Sequence, residues 1–297
     1  MRIGFVGAGK VGVTLGRYII SVLNNNSDSV ILGDTEISGY YSLHDKSAKE
    51  AAILTDTRSY RSLKEITDAS DVLVLTVPDG AILSVWEELR VLDIENMIIC
   101  HCSGAMTSKI FSGVTEAGAF GYSIHPMYAI SSKAESYKKL GEALFSIEGD
   151  DKYIDKIYDF ITALGNECVI IKDCDKVRYH SAAVMASNLV TGLFSMAGKL
   201  MAQCGLTSEQ ADKALIPLFL GNCQAVAEKG AVESLTGPIE RNDVGTVIKH
   251  INVLSGNERA AYLALSKGAL EVAMKKHPDT DYSELLGILN QNSVKEN

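Results

Sequence analysis

The chain starts with RIGFV, a short apolar run of β-prone residues. It flows without interruption into GAGKVG and then VTLGRYIISVL, where apolar residues recur at helical spacing. Strand, glycine turn and helix in that order leave few possibilities for the first domain. Gly7, Gly9 and Gly12 form a GxGxxG pattern. The first glycine permits a tight turn, the second lets backbone approach a pyrophosphate, and the third lets the helix pack close to the strand. The helix N-terminus then offers unpaired N–H groups to the anion. A GxGxxG is weak evidence alone, but here it follows a strand and opens a helix, the contexts that give it meaning. Gly7, Gly9, Lys10, Val11 and Gly12 are therefore the expected phosphate cradle.

The pattern continues. SLKEITDAS reads as a helix, DVLVLTV as a buried strand running into a Pro-Asp-Gly turn, and ENMIICHCSG as another strand ending at Ser103-Gly104. FGYSIHPM reads as a short strand ended by Pro126. EALFSIEG, a helix over 151–164 and NECVIIK add strand, helix, strand. Alternating strands and helices with continuously apolar strands predict a parallel α/β sheet. After about Lys172 no convincing strand remains. Helices are predicted over 175–203, 208–228, 243–254, 257–275 and 281–290, with a capping signal at Thr207 or Ser208. The expected organisation is an α/β domain over 1–172 and an all-α domain over 173–297. The stretch 24–29 reads as a polar loop.

Composition excludes several classes. A 46% hydrophobic and 22% charged chain can bury a sizeable core. A net charge of −9 argues against nonspecific binding to nucleic acid or anionic membrane. No apolar stretch approaches the roughly 20 residues needed to cross a bilayer, and the N-terminus lacks a signal-peptide layout. With six scattered cysteines this leads to the expectation of a cytoplasmic protein. The one close pair, Cys100-His101-Cys102, lacks the spacing and second cluster of structural zinc, so no metal is expected.

The choice between NAD and NADP rests on the end of the second strand, where an acidic residue favours NAD and basic or small polar residues favour NADP. Two alignments compete. If SVILGD is that strand, it ends at Asp34; if EISGYYS is, its tip is Ser42, Leu43, His44, Asp45 and Lys46. The helix that must follow begins near KSAKEAA, directly after the second candidate. NADP(H) is therefore preferred, with Ser42, His44 and Lys46 at the 2′-phosphate and SVILGD as one arm of a hairpin.

The stretch DKVRYHSAAVMASN, residues 175–188, looks helical yet carries a lysine and a histidine four apart. At about 100° per residue, Lys176 and His180 lie about 40° apart, and Ser187 falls between them. Thr191 is near that stripe, Asn188 flanks it, and Ala182, Met185 and Leu189 form the opposite face. A carbonyl reductase needs such polar groups. Hydride addition leaves an alkoxide that must take a proton or a strong hydrogen bond, and burial lowers a lysine pKa toward neutrality. The alternative is an exposed helix start with a surface lysine and a tucked histidine.

GFVGAGKVG, SGYYSLHDKSA, DVLVLTVPDGAI, CSGA, SIHPM, KVRYHSAAVMASN and LTGPIERND together resemble the 6-phosphogluconate-dehydrogenase-like superfamily. More closely they resemble its Rossmann-like proteins with a DUF2520 domain, some of which are similar to an alternative type of ketopantoate reductase. The usual ketopantoate reductases carry Lys then Asn at i and i+4; this chain has Lys176 and His180, with Asn188 two turns on. Leu43 stands where relatives often have arginine, leaving the 2′-phosphate to His44 or Lys46.

The resemblance implies Lys176 as proton donor with His180 as partner, supported by Ser103 and Asn188. It implies Val77, Pro78 and Asp79 along the cofactor, and His125 facing the cleft or capping a strand end. Arg241 and Asn242 would hold a substrate carboxylate, or else form a helix cap with an internal Arg–Asp pair. It further implies a homodimer through the C-terminal helices. The expected activity is NADPH-dependent reduction of a small 2-oxo acid, ketopantoate first. An imine reductase of the pyrroline-5-carboxylate kind and a non-catalytic NADP(H) sensor are the rivals.

Overall fold

The computed structural model describes residues 1–25 and 30–293. The strands are β1 (Arg2–Val6), β2 (Glu36–Tyr41), β3 (Arg58–Tyr60), β4 (Val72–Leu75), β5 (Ile98–His101), β6 (Phe120–Met127), β7 (Leu144–Gly149) and β8 (Cys168–Ile170). Among the described residues they form one sheet in the order β3-β2-β1-β4-β5-β6-β7-β8. The order reverses between β1 and β4, which opens a crevice at their carboxyl ends. The helices of this part are α1 (Lys10–Asn25), α2 (Asp45–Thr55), α3 (Leu63–Asp68), α4 (Asp79–Leu89) and α5 (Ile154–Ala163).

Two expectations change. The sheet is not parallel throughout: β7 runs antiparallel to β6. The link between them holds a short 3-10 turn, Ser136–Glu142, instead of the α-helical crossover usual between parallel strands. Val30–Asp34 form a turn, so SVILGD is not a hairpin arm, and EISGYY supplies the second strand. Most of the polar loop expected at 24–29 lies outside the described residues.

One face of the sheet packs on α1 and α5 through Phe5, Val13, Tyr18, Ile147 and Ile157. The other packs on α3 and α4 through Ile66, Leu73, Trp86 and Ile99. Fully buried Trp86 meets Phe111 edge-on and donates its indole N–H to the Ser112 carbonyl at 3.0 Å. Burying the ring therefore leaves no polar atom unpaired.

The compact units divide after Ser187, as 1–187 and 188–297, rather than near Lys172. The reason is α6 (Lys176–Ala186), which joins the sheet unit through its Lys176 and Tyr179 side chains. The single helix expected over 175–203 breaks at Ser187, whose φ of −126° and ψ of −81° are not helical. Helix α7 (Asn188–Gln203) begins the second unit, followed by α8 (Ser208–Ser234), α9 (Val244–Val253), α10 (Gly256–Lys276) and α11 (Ser283–Ser293). Thr207 caps α8 in a reciprocal capping box with Gln210.

The core of the second unit lies among α9, α10 and α11, around Val247, Ile251, Leu270, Leu285 and Leu289. No residue of α7 is buried, and only Ala211 of α8 is. Asp173–Gln203 is, by length and hydropathy, apolar enough to cross a membrane, contrary to the expectation that no segment is.

Candidate active site

The glycine turn sits at the crevice. Gly7 has φ of +111°, a conformation that favours glycine, and donates its N–H to the Tyr41 carbonyl at 2.8 Å. A Cβ at Gly12 would lie 2.6 Å from the Gly7 carbonyl oxygen, so the close helix packing expected there is real. A Cβ at Gly9 would find no atom nearer than 4.0 Å, which leaves open the side from which a ligand would come. The backbone N of Val77, next in sequence to Thr76, borders the same turn, followed by Pro78 and Asp79 at the start of α4. At the tip of β2, Ser42 is half-buried, while His44 and Lys46 are exposed around the N-terminus of α2. Asp45 is tied to Lys49. These residues fit a dinucleotide: a glycine turn open at Gly9 leading into a helix N-terminus, with His44 and Lys46 exposed at the strand tip.

The second cluster forms at the carboxyl ends of β5 and β6. Lys176 is fully buried, 0% exposed. Its Nζ donates to the Ser103 carbonyl at 3.1 Å and to Ser123 Oγ at 2.7 Å. Neither contact carries charge. Burial pushes the lysine pKa down, while Glu148, Cys102 and Asp79 oppose this electrostatically. Glu148 is itself held by the Ser108 N–H and hydroxyl, both at 2.7 Å.

Ser103 is a hub. Its hydroxyl donates to Asp79 Oδ2 at 2.7 Å and accepts from the N–H groups of Ala105 and Met106. Its own N–H donates to His101 Nδ1, so the His101 proton sits on Nε2, which donates to the Thr107 carbonyl. Burial drops the His101 pKa to about 4. The Ser103 hydroxyl is thus committed within the chain, and its carbonyl orients Lys176.

His125 lies beside them. A 3.1 Å hydrogen bond joins its Nδ1 to the Tyr179 hydroxyl, and the rings stand edge to face. Its pKa falls to about 4, first through burial and then through the nearby charge of Lys176. The His180 ring is 6.2 Å from that of His125, centroid to centroid. Gly104 lies between them: a Cβ there would sit 2.5 Å from His180 Nδ1 and 2.9 Å from His125 Nε2. His180 Nδ1 is buried with no hydrogen-bond partner.

The structure therefore unites Lys176, Ser103, His125, His180 and Asp79 within the sheet unit. Among the described residues Lys176 makes its hydrogen bonds to Ser103 and Ser123, and none to His180, the partner the resemblance implies. The break at Ser187 ends the stripe that was expected to run through Ser187 to Thr191, and Asn188, expected to flank it, opens the second unit.

Asn242 also belongs to the second unit. There it takes a left-handed φ of +56° and donates its amide to the Asp281 carbonyl. Arg241 is exposed, and Asp243 caps α9 through Thr246. The anticipated Arg–Asp pair is not among the ion pairs of the described residues; Glu240 pairs with His277 instead. Ser123, Tyr179 and Gly104 were missed as site residues. Only Tyr179 had a sequence signal, one position before His180 on the same helix.

Cys100 is buried in the sheet core, and all six cysteines are unpaired. No group of three or more His, Cys, Asp or Glu side chains among the described residues is placed to hold a metal ion.

A Rossmann-like domain is matched over residues 1–126, and the domain of unknown function DUF2520 over residues 143–269. The chain is a Rossmann-like protein with a DUF2520 domain. No curated protein matches it in sequence. Among solved structures it is similar to protein TM1727 from Thermotoga maritima, at TM-score 0.70 and 23% identity, covering 93% of this chain and 99% of that one. It is also similar to a Bacteroides fragilis protein provisionally named an NADP oxidoreductase, at TM-score 0.67 and 19% identity, covering 91% and 98%. A Plasmodium falciparum pyrroline carboxylate reductase with NADP bound matches at TM-score 0.53 and 14% identity, covering 99% and 97%.

Proposed function

We propose that the protein is an NADP(H)-dependent reductase of a small 2-oxo acid, with ketopantoate, giving pantoate for pantothenate synthesis, as the leading substrate. One observation carries this reading. The open glycine turn and the Lys176–His125–His180 cluster both stand at the carboxyl ends of parallel strands of one sheet. In doubly wound sheets ligands bind at that end. The names of the Bacteroides and Plasmodium proteins support NADP, as do His44 and Lys46 at the strand tip.

A bound nicotinamide supplies hydride. The chain's own task is to receive the charge that develops on the carbonyl oxygen. Lys176, made more acidic by burial and held by two neutral acceptors, is the proton source of the cluster. His125, neutral at pH 7 and steadied by Tyr179, and His180 present half-buried imidazoles for hydrogen bonding. Arg241, exposed in the second unit, has the fork geometry to pair bidentately with a carboxylate.

An imine substrate is the second reading. The Plasmodium relative is named for such a reaction, and complete burial of Lys176 suits a substrate that arrives already protonated. We further propose a cytoplasmic homodimer. The exposed Leu189, Leu193, Ile216, Leu218 and Leu220 of α7 and α8 support an apolar face covered by a second copy, and explain the apolar Asp173–Gln203 stretch without a bilayer.

The test follows NADPH oxidation with ketopantoate in wild type and Lys176→Ala. Turnover that falls by about a hundredfold or more in the variant supports the reading. Turnover only with pyrroline-5-carboxylate, with a milder loss in Lys176→Ala, moves the assignment to imines. Tight NADPH binding with no turnover of any oxo acid or imine makes the protein a sensor.

A further inference from the structure

The sheet unit holds a cavity of about 290 Å³ that the proposed reaction does not use. It lies between the sheet and helices α1 and α5, and none of Gly7 to Gly12 lines it. Val74 shows that the gap is real. It sits on β4, between β1 and β5 in the middle of the sheet, yet it is only half-buried because its side chain faces this space. Ile124 and Cys102 at the inner end are likewise only partly covered.

The volume is about twice that of the ~150 Å³ apolar cavity that stays dry and admits benzene. The wall is mostly aliphatic and aromatic, with Asp34, Thr35 and Lys156 among its polar side chains. The Tyr18 hydroxyl is already committed to the Leu164 carbonyl and Asn166. The mouth is marked by Val30 and Ile31, both exposed, and by Lys156 on α5. Lys156 is exposed, with no ion pair or hydrogen bond among the described residues. Asp34 shares the rim and repels any anion, a dianion most, so a single negative head has to sit on the Lys156 side.

We propose that this cavity binds an apolar monocarboxylate, a medium-length acyl chain or a bicyclic aromatic acid, with its tail against Val74 and its head at Lys156. This assignment is independent of the proposed reductase activity. Cys102 and Ile124 of its lining adjoin Ser103, Ser123 and His125 in sequence, and along β6 the Ile124 side chain faces away from those of Ser123 and His125.

The probes are n-octanoate and 1-octanol on the full chain, followed by calorimetry and by methyl NMR of Val74, Ile124 and Ile161. The expected result is octanoate binding with a Kd of about 1 mM or tighter, with shifts concentrated on those three methyl groups. Lys156→Ala should weaken octanoate about two- to fivefold, the scale of one exposed ion pair, and leave octanol unchanged. Val74→Phe should abolish binding of both. If that variant fails to fold, the methyl shifts and the surface variant still decide. Absence of binding by either probe, shifts elsewhere in the chain, or equal octanoate affinity in Lys156→Ala would overturn the proposal.

Discussion

Two alanine substitutions in the glycine turn separate folding from binding. In Gly12→Ala the new methyl would stand 2.6 Å from the Gly7 carbonyl oxygen and 2.4 Å from Thr76 Oγ1. Ordinary contact begins near 3.4 Å, so the carbonyl must yield by 3.4 − 2.6 = 0.8 Å. Neither neighbour gives easily. The carbonyl belongs to a residue with φ of +111°, and Thr76 Oγ1 donates to that same carbonyl at 2.8 Å. Overpacking of this kind costs about 1–3 kcal/mol. At about 2–4 °C per kcal/mol for a unit of this size, Tm should fall by roughly 2–12 °C.

Gly9→Ala meets nothing nearer than 4.0 Å and should change stability by no more than about 1 kcal/mol. It should nevertheless weaken NADPH about tenfold or more, because the methyl occupies the side a pyrophosphate would approach. Scanning calorimetry with fluorescence titration of NADPH reads both effects. A Gly12→Ala protein with wild-type Tm would refute the packing argument. Wild-type NADPH affinity in Gly9→Ala would refute the phosphate cradle.

Lys176→Met should flatten the alkaline side of the stability profile. The folded pKa of Lys176 lies below its unfolded value, so in that interval the unfolded chain holds more protons and stability rises with pH. Urea midpoints between pH 7 and 10.5 should climb less in the variant, and an unchanged slope would count against burial of the charge. His101 and His125 act on the acid side by the same sign. With folded values of about 4 against about 6.5 unfolded, stability is lost as pH falls through that window. His125→Asn should reduce this loss, and two-dimensional NMR should find the His125 ring still neutral at pH 5.5. Leu218→Glu on α8 should shift sedimentation toward the monomer with little change in Tm, because Leu218 is 63% exposed in the isolated chain. A monomeric wild type would remove the proposed α7–α8 interface.

Most of the first domain could be read from the sequence because its signals are local. RIGFV followed by GAGKVG dictates a strand, a turn that only glycine can make, and a helix packed on that turn. Lys176 and His180 could be singled out for a similar reason, since they share one turn of a helix. What those two residues touch was decided by tertiary structure. Local spacing could not foresee that Ser103, just past β5, and Ser123, on β6, would take the lysine, or that Gly104 would separate His125 from His180. The break at Ser187 was masked: Ser187 and Asn188 are residue types that can end or start a helix, but the apolar pattern runs on through them, and only the contacts of α6 on the sheet unit decide that α7 starts the next. Helical periodicity describes one element at a time. Hydrogen-bond partners and domain boundaries depend on which elements compete to bury the same surface, and that is settled only when the sheet and its helices come together.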